Sequence, residues 1–184
     1  MDYKEIFDLI LDENNFTVGG GSSSAIAGAM GCGLMGMVVN LSKSKDYGYS
    51  DKEYDDMLEE LNDLKTKLLK GSVEDNKAYL LIRDAYKLPK STEEEKEARK
   101  KAIQNAGIEA AKVPLSNAML NKRVNEIGMS LLDKSNPACI TDLQAGIDFS
   151  KVGIDAGRAN VEANLPLIKD QNIVDDFNSK IENL

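Results

Sequence analysis

An all-α fold, a bundle of about six or seven helices around one small-residue-rich central helix, is what this sequence predicts, on three observations. Strand signals are nearly missing: aromatics make up 5% of the chain, alternating β-branched runs are few, and no Asn-Gly or Asp-Gly turn separates two apolar runs. Apolar residues recur instead at helical spacing, between strong start and stop signals. Third, residues 14–42, NNFTVGGGSSSAIAGAMGCGLMGMVVNLS, contain no charged residue in a chain that is 29% charged. A run of that kind in an acidic protein reads as a helix buried on most sides.

Taken in order, Tyr3, Ile6, Phe7, Ile10 and Leu11 mark a short amphipathic opening. Gly19–Gly21 then reads as a loop, with Ser22 or Ser23 capping a helix that reaches about Leu41. Ser50 with Glu53 forms a capping box, and Tyr54, Met57, Leu58, Leu61, Leu64 and Leu68 follow at 3–4 spacing. Gly71 is expected to end or bend that helix, and Ser72-Val73-Glu74-Asp75 to open another, stopped at Leu88-Pro89. Thr92 with Glu95 makes the next capping box, and Pro114 is expected to allow a break before a helix that runs to about Leu132. Asn136-Pro137 is the last strong start, an Asn cap followed by Pro at the first helical position. Pro166 precedes a terminal amphipathic tail. The whole, residues 1–184, is read as one domain, long enough to bury a core without disulfide or metal staples.

Composition excludes several function classes. The net charge of −8 and pI near 4.7, with lysines interspersed among carboxylates, argue against nucleic acid as a partner. The chain has two cysteines far apart and no histidine, which argues against zinc and copper. The opening MDYKEIFDLI lacks the pattern of a signal peptide, so a reduced, cytoplasmic protein is expected. Ser22–Ser42 has the length of a membrane span, but its Ser, Gly and Ala content points to a core helix instead.

The central helix has two small rows at i, i+4: Ala25, Ala29, Gly33, and Gly28, Cys32, Gly36, Asn40. Glycine inside a helix costs about 1 kcal/mol relative to alanine, so these positions need close packing by other helices, or by a twin helix in a dimer, or else ligand access. The Gly19–Gly21 stretch leaves two readings open: backbone N–H groups aimed at a carboxylate or phosphate, with the helix dipole behind them, or a flexible hinge. It matches neither a Walker nor a dinucleotide fingerprint. The run Glu93–Lys101 is a solvated face carrying opposite charges three or four apart.

Several stretches carry a resemblance. GGGSSSAIAGAMG, EDNKAY (74–79), AYKLPK (85–90), VPL (113–115), NPACITD (136–142) and NVEANL (160–165) are similar, in this order, to motifs of the formiminotransferase-cyclodeaminase C-terminal domain family, which includes stand-alone methenyltetrahydrofolate cyclohydrolases. Val18, Thr141 and Ala163 depart from that pattern, where proline, serine and an aliphatic residue are usual. The resemblance implies an all-helical homodimer with a folate site near the glycines and helix starts, and no tightly bound cofactor beyond the tetrahydrofolate substrate.

It also implies one of two reactions. A cyclohydrolase adds water to 5,10-methenyltetrahydrofolate and yields 10-formyltetrahydrofolate; a cyclodeaminase closes 5-formiminotetrahydrofolate and expels ammonia. Without histidine, the proton must move through a carboxylate or a lysine of perturbed pKa, or a chain through water. Asp142 is the first candidate, with Asp75 as base or as its orienting partner; a shared cleft would raise one of the two pKa values. Lys87 is placed at a cleft mouth, for the glutamate tail or for proton transfer. Gly19, Gly20, Gly21, Ser22, Ser23, Asn136 and Thr141 are assigned to substrate binding, and Tyr79 to stacking. Each has an ordinary alternative: a first-turn carboxylate, a solvated lysine, a cap, a core tyrosine. Hydrolysis is the preferred activity, deamination the second, and a non-catalytic folate-binding dimer the alternative of another class.

Overall fold

The computed structural model describes residues 1–184 and contains six α-helices and no strands. They are α1 (Tyr3–Ile10), α2 (Gly20–Ser42), α3 (Asp51–Lys87), α4 (Glu93–Ser130), α5 (Ile140–Asn164) and α6 (Gln171–Glu182), with single 3₁₀ turns at Pro137–Cys139 and Leu165–Leu167. Helices α2 to α5 form an up-and-down antiparallel bundle. The register is fixed at both ends: Gly21 lies against Asp75 and Gly36 against Leu58 across α2 and α3, while Gly31 meets Gly146 and Gly20 meets Asn160 across α2 and α5. Helix α1 lies on α2 and α3, and α6 packs on α4 and α5.

Local chemistry explains the starts. Ser50 and Glu53 cap α3 reciprocally, Thr92 and Glu95 do the same for α4, and Asp2 with Glu5 makes a third box on α1. Asn136 accepts from the Ala138 N–H at 3.1 Å and leads into α5 through Pro137. The main core joins α2, α3, α4 and α5 around Met35, Val38, Tyr54, Leu61, Leu68, Val124, Leu131, Leu143 and Ile147. Each large apolar side chain fully buried there contributes about 1.5–3 kcal/mol. A second cluster, Ala111, Leu115, Val161, Ile168, Phe177 and Ile181, fastens α6. Both cysteines are buried and free, and burial pushes the Cys32 thiol up to about 12.

Three local expectations are corrected. Gly20 and Gly21 belong to the first turn of α2, and Gly19 is its N-cap with no side-chain bond; Ser22 and Ser23 are inside the helix. Gly71 does not end a helix, because α3 runs unbroken from Asp51 to Lys87. A Cβ at Gly71 would lie 1.9 Å from Asn117 Oδ1, so this glycine admits a side chain of α4. Pro114 does not break α4 either. A proline there removes the N–H that the Ala110 carbonyl would accept, and the Asn164 amide replaces it, donating to Ala110 O at 3.0 Å.

Helix α2 is long and apolar enough to cross a bilayer, with a mean hydropathy of 1.6, yet 67% of that window is buried by the other helices. Packing accounts for Gly28 and Gly31. A Cβ at Gly28 would sit 1.9 Å from Asn121 Oδ1, and one at Gly31 would sit 2.8 Å from Gly146 O.

Candidate active site

A cleft of about 320 Å³ opens where the N-terminus of α2 meets the middle of α3 and the end of α5. Its walls include Gly19–Gly21, Asp75 and Tyr79, with Phe16 from the preceding segment and Asn160 and Asn164 from α5. This volume falls at the lower end of the range for small-molecule sites.

Asp75 is the centre of the cleft. Its Oδ2 lies 2.9 Å from Ser22 Oγ, and Ser22 Oγ lies equally close to the Ser72 carbonyl. Ser22 is fully buried and has one proton for two acceptors. When Asp75 is ionised, the hydroxyl donates to the carboxylate; when Asp75 is protonated, the acid can donate to Ser22, which then donates to Ser72 O. The Ser72 carbonyl belongs to α3 and keeps its helical donor in either case.

Burial drives the Asp75 pKa above the ordinary carboxylate value, while the Ser22 hydroxyl and the Ser22 backbone N–H pull it down by less. That N–H is one of the free donors of the first turn of α2. Ser22→Ala removes the hydroxyl donor, so the Asp75 carboxyl is expected to titrate at a higher pH in the variant; carbon-13 NMR titration of its carboxyl resonance reads this directly. A downward shift would reverse the role given to Ser22.

Gly20 and Gly21 serve close approach, while the Cβ position of Gly19 has nothing within 4 Å. A Cβ at Gly21 would fall 2.2 Å from Asp75 Oδ1, and one at Gly20 would fall 3.1 Å from Asn160 Nδ2. None has a positive φ, and with Gly19 as N-cap and Gly20 and Gly21 in the first turn of α2 the stretch is a helix start at the cleft and not a free loop. The segment before them is pinned: Asn76 Nδ2 donates to Thr17 O at 2.7 Å, and Asn15 Oδ1 accepts from the N–H groups of Thr17 and Val18. Phe16 is left 83% exposed at the rim and Tyr79 41% exposed on the wall, giving the cleft two aromatic surfaces.

Of the residues singled out from sequence, Gly19, Gly20, Gly21, Asp75 and Tyr79 line this cleft, and Ser22 backs it through Asp75. The others lie elsewhere. Ser23 turns away, its Oγ donating to Gly19 O. Lys87, 64% exposed, pairs with Asp84 three turns beyond Asp75 on α3. Asn136 is bonded to Ser42 Oγ and Leu41 O at the opposite end of α2, and Thr141 and Asp142 follow it in the first turn of α5. With α2 running from Gly20 to Ser42, that end lies about 30 Å from Ser22 at 1.5 Å per residue. Asp75 and Asp142 of one chain thus share no cleft, and the rise at Asp75 comes from burial alone.

Sequence reasoning assigned no role to Phe16, Asn160 or Asn164. The signal for the asparagines was their i, i+4 spacing, in line with Gly153 and Gly157 on the face of α5 that meets α4.

Residues 5–183 match the formiminotransferase-cyclodeaminase family model. The chain belongs to this family. A methenyltetrahydrofolate cyclohydrolase of Methylorubrum extorquens is 31% identical over 169 residues, covering 91% of this chain and 81% of the relative. The formimidoyltransferase-cyclodeaminase of Gallus gallus is 32% identical over 157 residues, or 83% of this chain but 28% of the relative; the chain spans less than a third of that longer protein. The crystal structure of a formiminotetrahydrofolate cyclodeaminase from Thermotoga maritima superposes with a TM-score of 0.83 at 27% identity, over all of this chain and 87% of the other. Within the family, then, the bundle occurs both as most of a protein and as part of a larger one.

Proposed function

We propose that the protein hydrolyses 5,10-methenyltetrahydrofolate to 10-formyltetrahydrofolate, with Asp75 as the proton-transfer group. The observation that carries this reading is a carboxyl of raised pKa, held by Ser22 in a ring-sized cleft with aromatic walls, in a chain without histidine. The relatedness to the cyclohydrolase over 91% of the chain supports it.

The reaction divides into three proton events. Water adds to the cationic methenyl carbon and gives one proton to the Asp75 carboxylate, leaving a neutral hydroxylated bridge. Asp75 then returns that proton to N5 as the N5–carbon bond breaks. The remaining hydroxyl proton leaves for solvent as the carbonyl of the N10-formyl group forms. A carboxylate whose pKa is raised is a better base toward water and still a competent acid toward N5. The Ser22 hydroxyl follows by swinging between Asp75 and Ser72 O. Proton transfer suffices for each step, so this reading includes no tightly bound cofactor.

Deamination is the second reading, favoured by the superposition on the cyclodeaminase; it uses the same methenyl carbon and the same proton carrier. Loss of methenyltetrahydrofolate absorbance on adding the purified protein, read beside ammonia release from 5-formiminotetrahydrofolate, separates the two. Hydrolysis without ammonia is the expected result. Ammonia release would transfer the assignment to the deaminase, and folate binding without either reaction would leave a carrier.

The same reading includes a homodimer. Met30, Met37 and Leu41 are 40–50% exposed on α2, and with Gly33, whose Cβ position faces open space, they form one uncharged stripe at helical spacing. A contiguous apolar face on a soluble enzyme marks a contact surface, and a second copy of α2 matches its small and flexible side chains. Met37→Lys places a charge in that contact. Sedimentation is expected to give a dimer for the wild type and a monomer for the variant, with equal helical content by circular dichroism.

A further inference from the structure

Asn164 stands on the last turn of α5, and its amide orientation is decided by its neighbours. Nδ2 donates to two backbone carbonyls, Asn160 O at 2.8 Å and Ala110 O at 3.0 Å. Only the NH₂ end of an amide can serve two acceptors, so Oδ1 cannot take its place. The second acceptor exists because Pro114 has no N–H: in an ordinary helix Ala110 O would be engaged by residue 114. Asn160, one turn earlier, likewise directs Nδ2 to Ala156 O at 3.0 Å. Both asparagines line the cleft. Asn164 has both N–H groups engaged by the backbone and Asn160 one, and neither Oδ1 accepts from a protein donor, which leaves two neutral acceptors on one wall.

Neutral acceptors match uncharged N–H donors. Resting on the folate reading above, we propose that Asn160 and Asn164 are the specificity-determining pair for the 2-amino-4-oxopyrimidine ring of the substrate, Asn164 accepting from its 2-amino group and Asn160 from N3–H, with Pro114 as the positioning residue that fixes Asn164. This divides the work within the cleft. The titratable group, Asp75, stays free for the methenyl carbon, and the ring is read by groups whose charge does not change with pH. A ring that offered an acceptor to Asn164 would face a carbonyl oxygen whose own amide has no free donor, and be refused.

The test measures binding of 5-formyltetrahydrofolate, and of its analogue with methyl in place of the 2-amino group, to the full-length wild type, Asn164→Ala and Pro114→Ala. Loss of a neutral hydrogen bond is worth about tenfold in affinity, so Asn164→Ala is expected to weaken the first ligand about tenfold and the analogue less than twofold. Pro114→Ala keeps every cleft side chain and supplies Ala110 O with a helical N–H, so it folds at least as well. It is expected to raise KM for the methenyl substrate severalfold more than it lowers kcat. Equal losses for both ligands, or an unchanged KM in Pro114→Ala, would overturn the assignment while leaving hydrolysis intact. Absence of binding and turnover in the wild type would instead overturn the folate reading, and this inference with it.

Discussion

Asp75→Asn is expected to lower kcat for methenyl hydrolysis by a factor of about 10²–10⁴ and, at neutral pH, to raise the melting temperature. The two effects share one cause. Burial raises the Asp75 pKa in the folded protein, so the native state binds its proton more tightly than the unfolded chain does. Keeping the group ionised therefore costs stability at all pH values above the folded pKa, and the cost disappears as pH falls through that value to the unfolded one, near 3.9. Asparagine carries no charge to desolvate, and its Oδ1 can still accept from Ser22. Melting curves of both proteins over a pH series are expected to converge in acid, with the variant higher at neutral pH. In the wild type, kcat should fall as pH drops, with its midpoint above the usual aspartate range. A less stable variant at neutral pH would overturn the raised pKa, and one with wild-type turnover would remove Asp75 from the mechanism.

Gly28→Ala is expected to destabilise the bundle by about 2–4 kcal/mol, lowering the melting temperature by about 5–15 °C. Alanine gains about 1 kcal/mol over glycine in an isolated helix, so the loss must come from packing. The added Cβ would lie 1.9 Å from Asn121 Oδ1, and Asn121 has no room to retreat, because its Cγ stands 2.2 Å from where a Cβ of Gly153 would be. The amide is held between two glycines on α2 and α5. Its Nδ2 donates to Asn117 O at 2.9 Å. Forcing it aside adds an overpacking cost of about 1–3 kcal/mol and a further cost of about 1–3 kcal/mol if that bond breaks without water. Calorimetry of Gly28→Ala beside Gly28→Ala/Asn121→Ala checks the cause. The second substitution should restore part of the loss, and a double variant no better than the single would rule out the clash.

Much of the bundle was legible because helix starts and stops are local chemistry. Ser50 with Glu53, Thr92 with Glu95, and Asn136 with Pro137 each satisfy free N–H groups from residues within a turn. The breaks expected at Gly71 and Pro114 were misread for the opposite reason. Both residues disfavour an isolated helix, and both are compensated from another helix: Asn117 packs over Gly71, and Asn164 supplies the donor for the carbonyl that Pro114 leaves free. No pattern along α3 or α4 reveals a partner that lies on a different element.

By itself, the sequence determined an all-helical chain with a buried, glycine-rich second helix, and a chemistry without histidine, because periodicity, capping and residue content are properties of the chain. Only the tertiary structure decided that Asp75, and not Asp142, lies in the cleft with the glycines, and that Gly20 and Gly21 are there to admit the Asn160 amide and the Asp75 carboxylate. The physical reason is distance: the antiparallel path places the two ends of α2 about 33 Å apart and puts the start of α2 beside the middle of α3 and the end of α5. Burial, which sets the proton affinity of Asp75, exists only once those three helices meet.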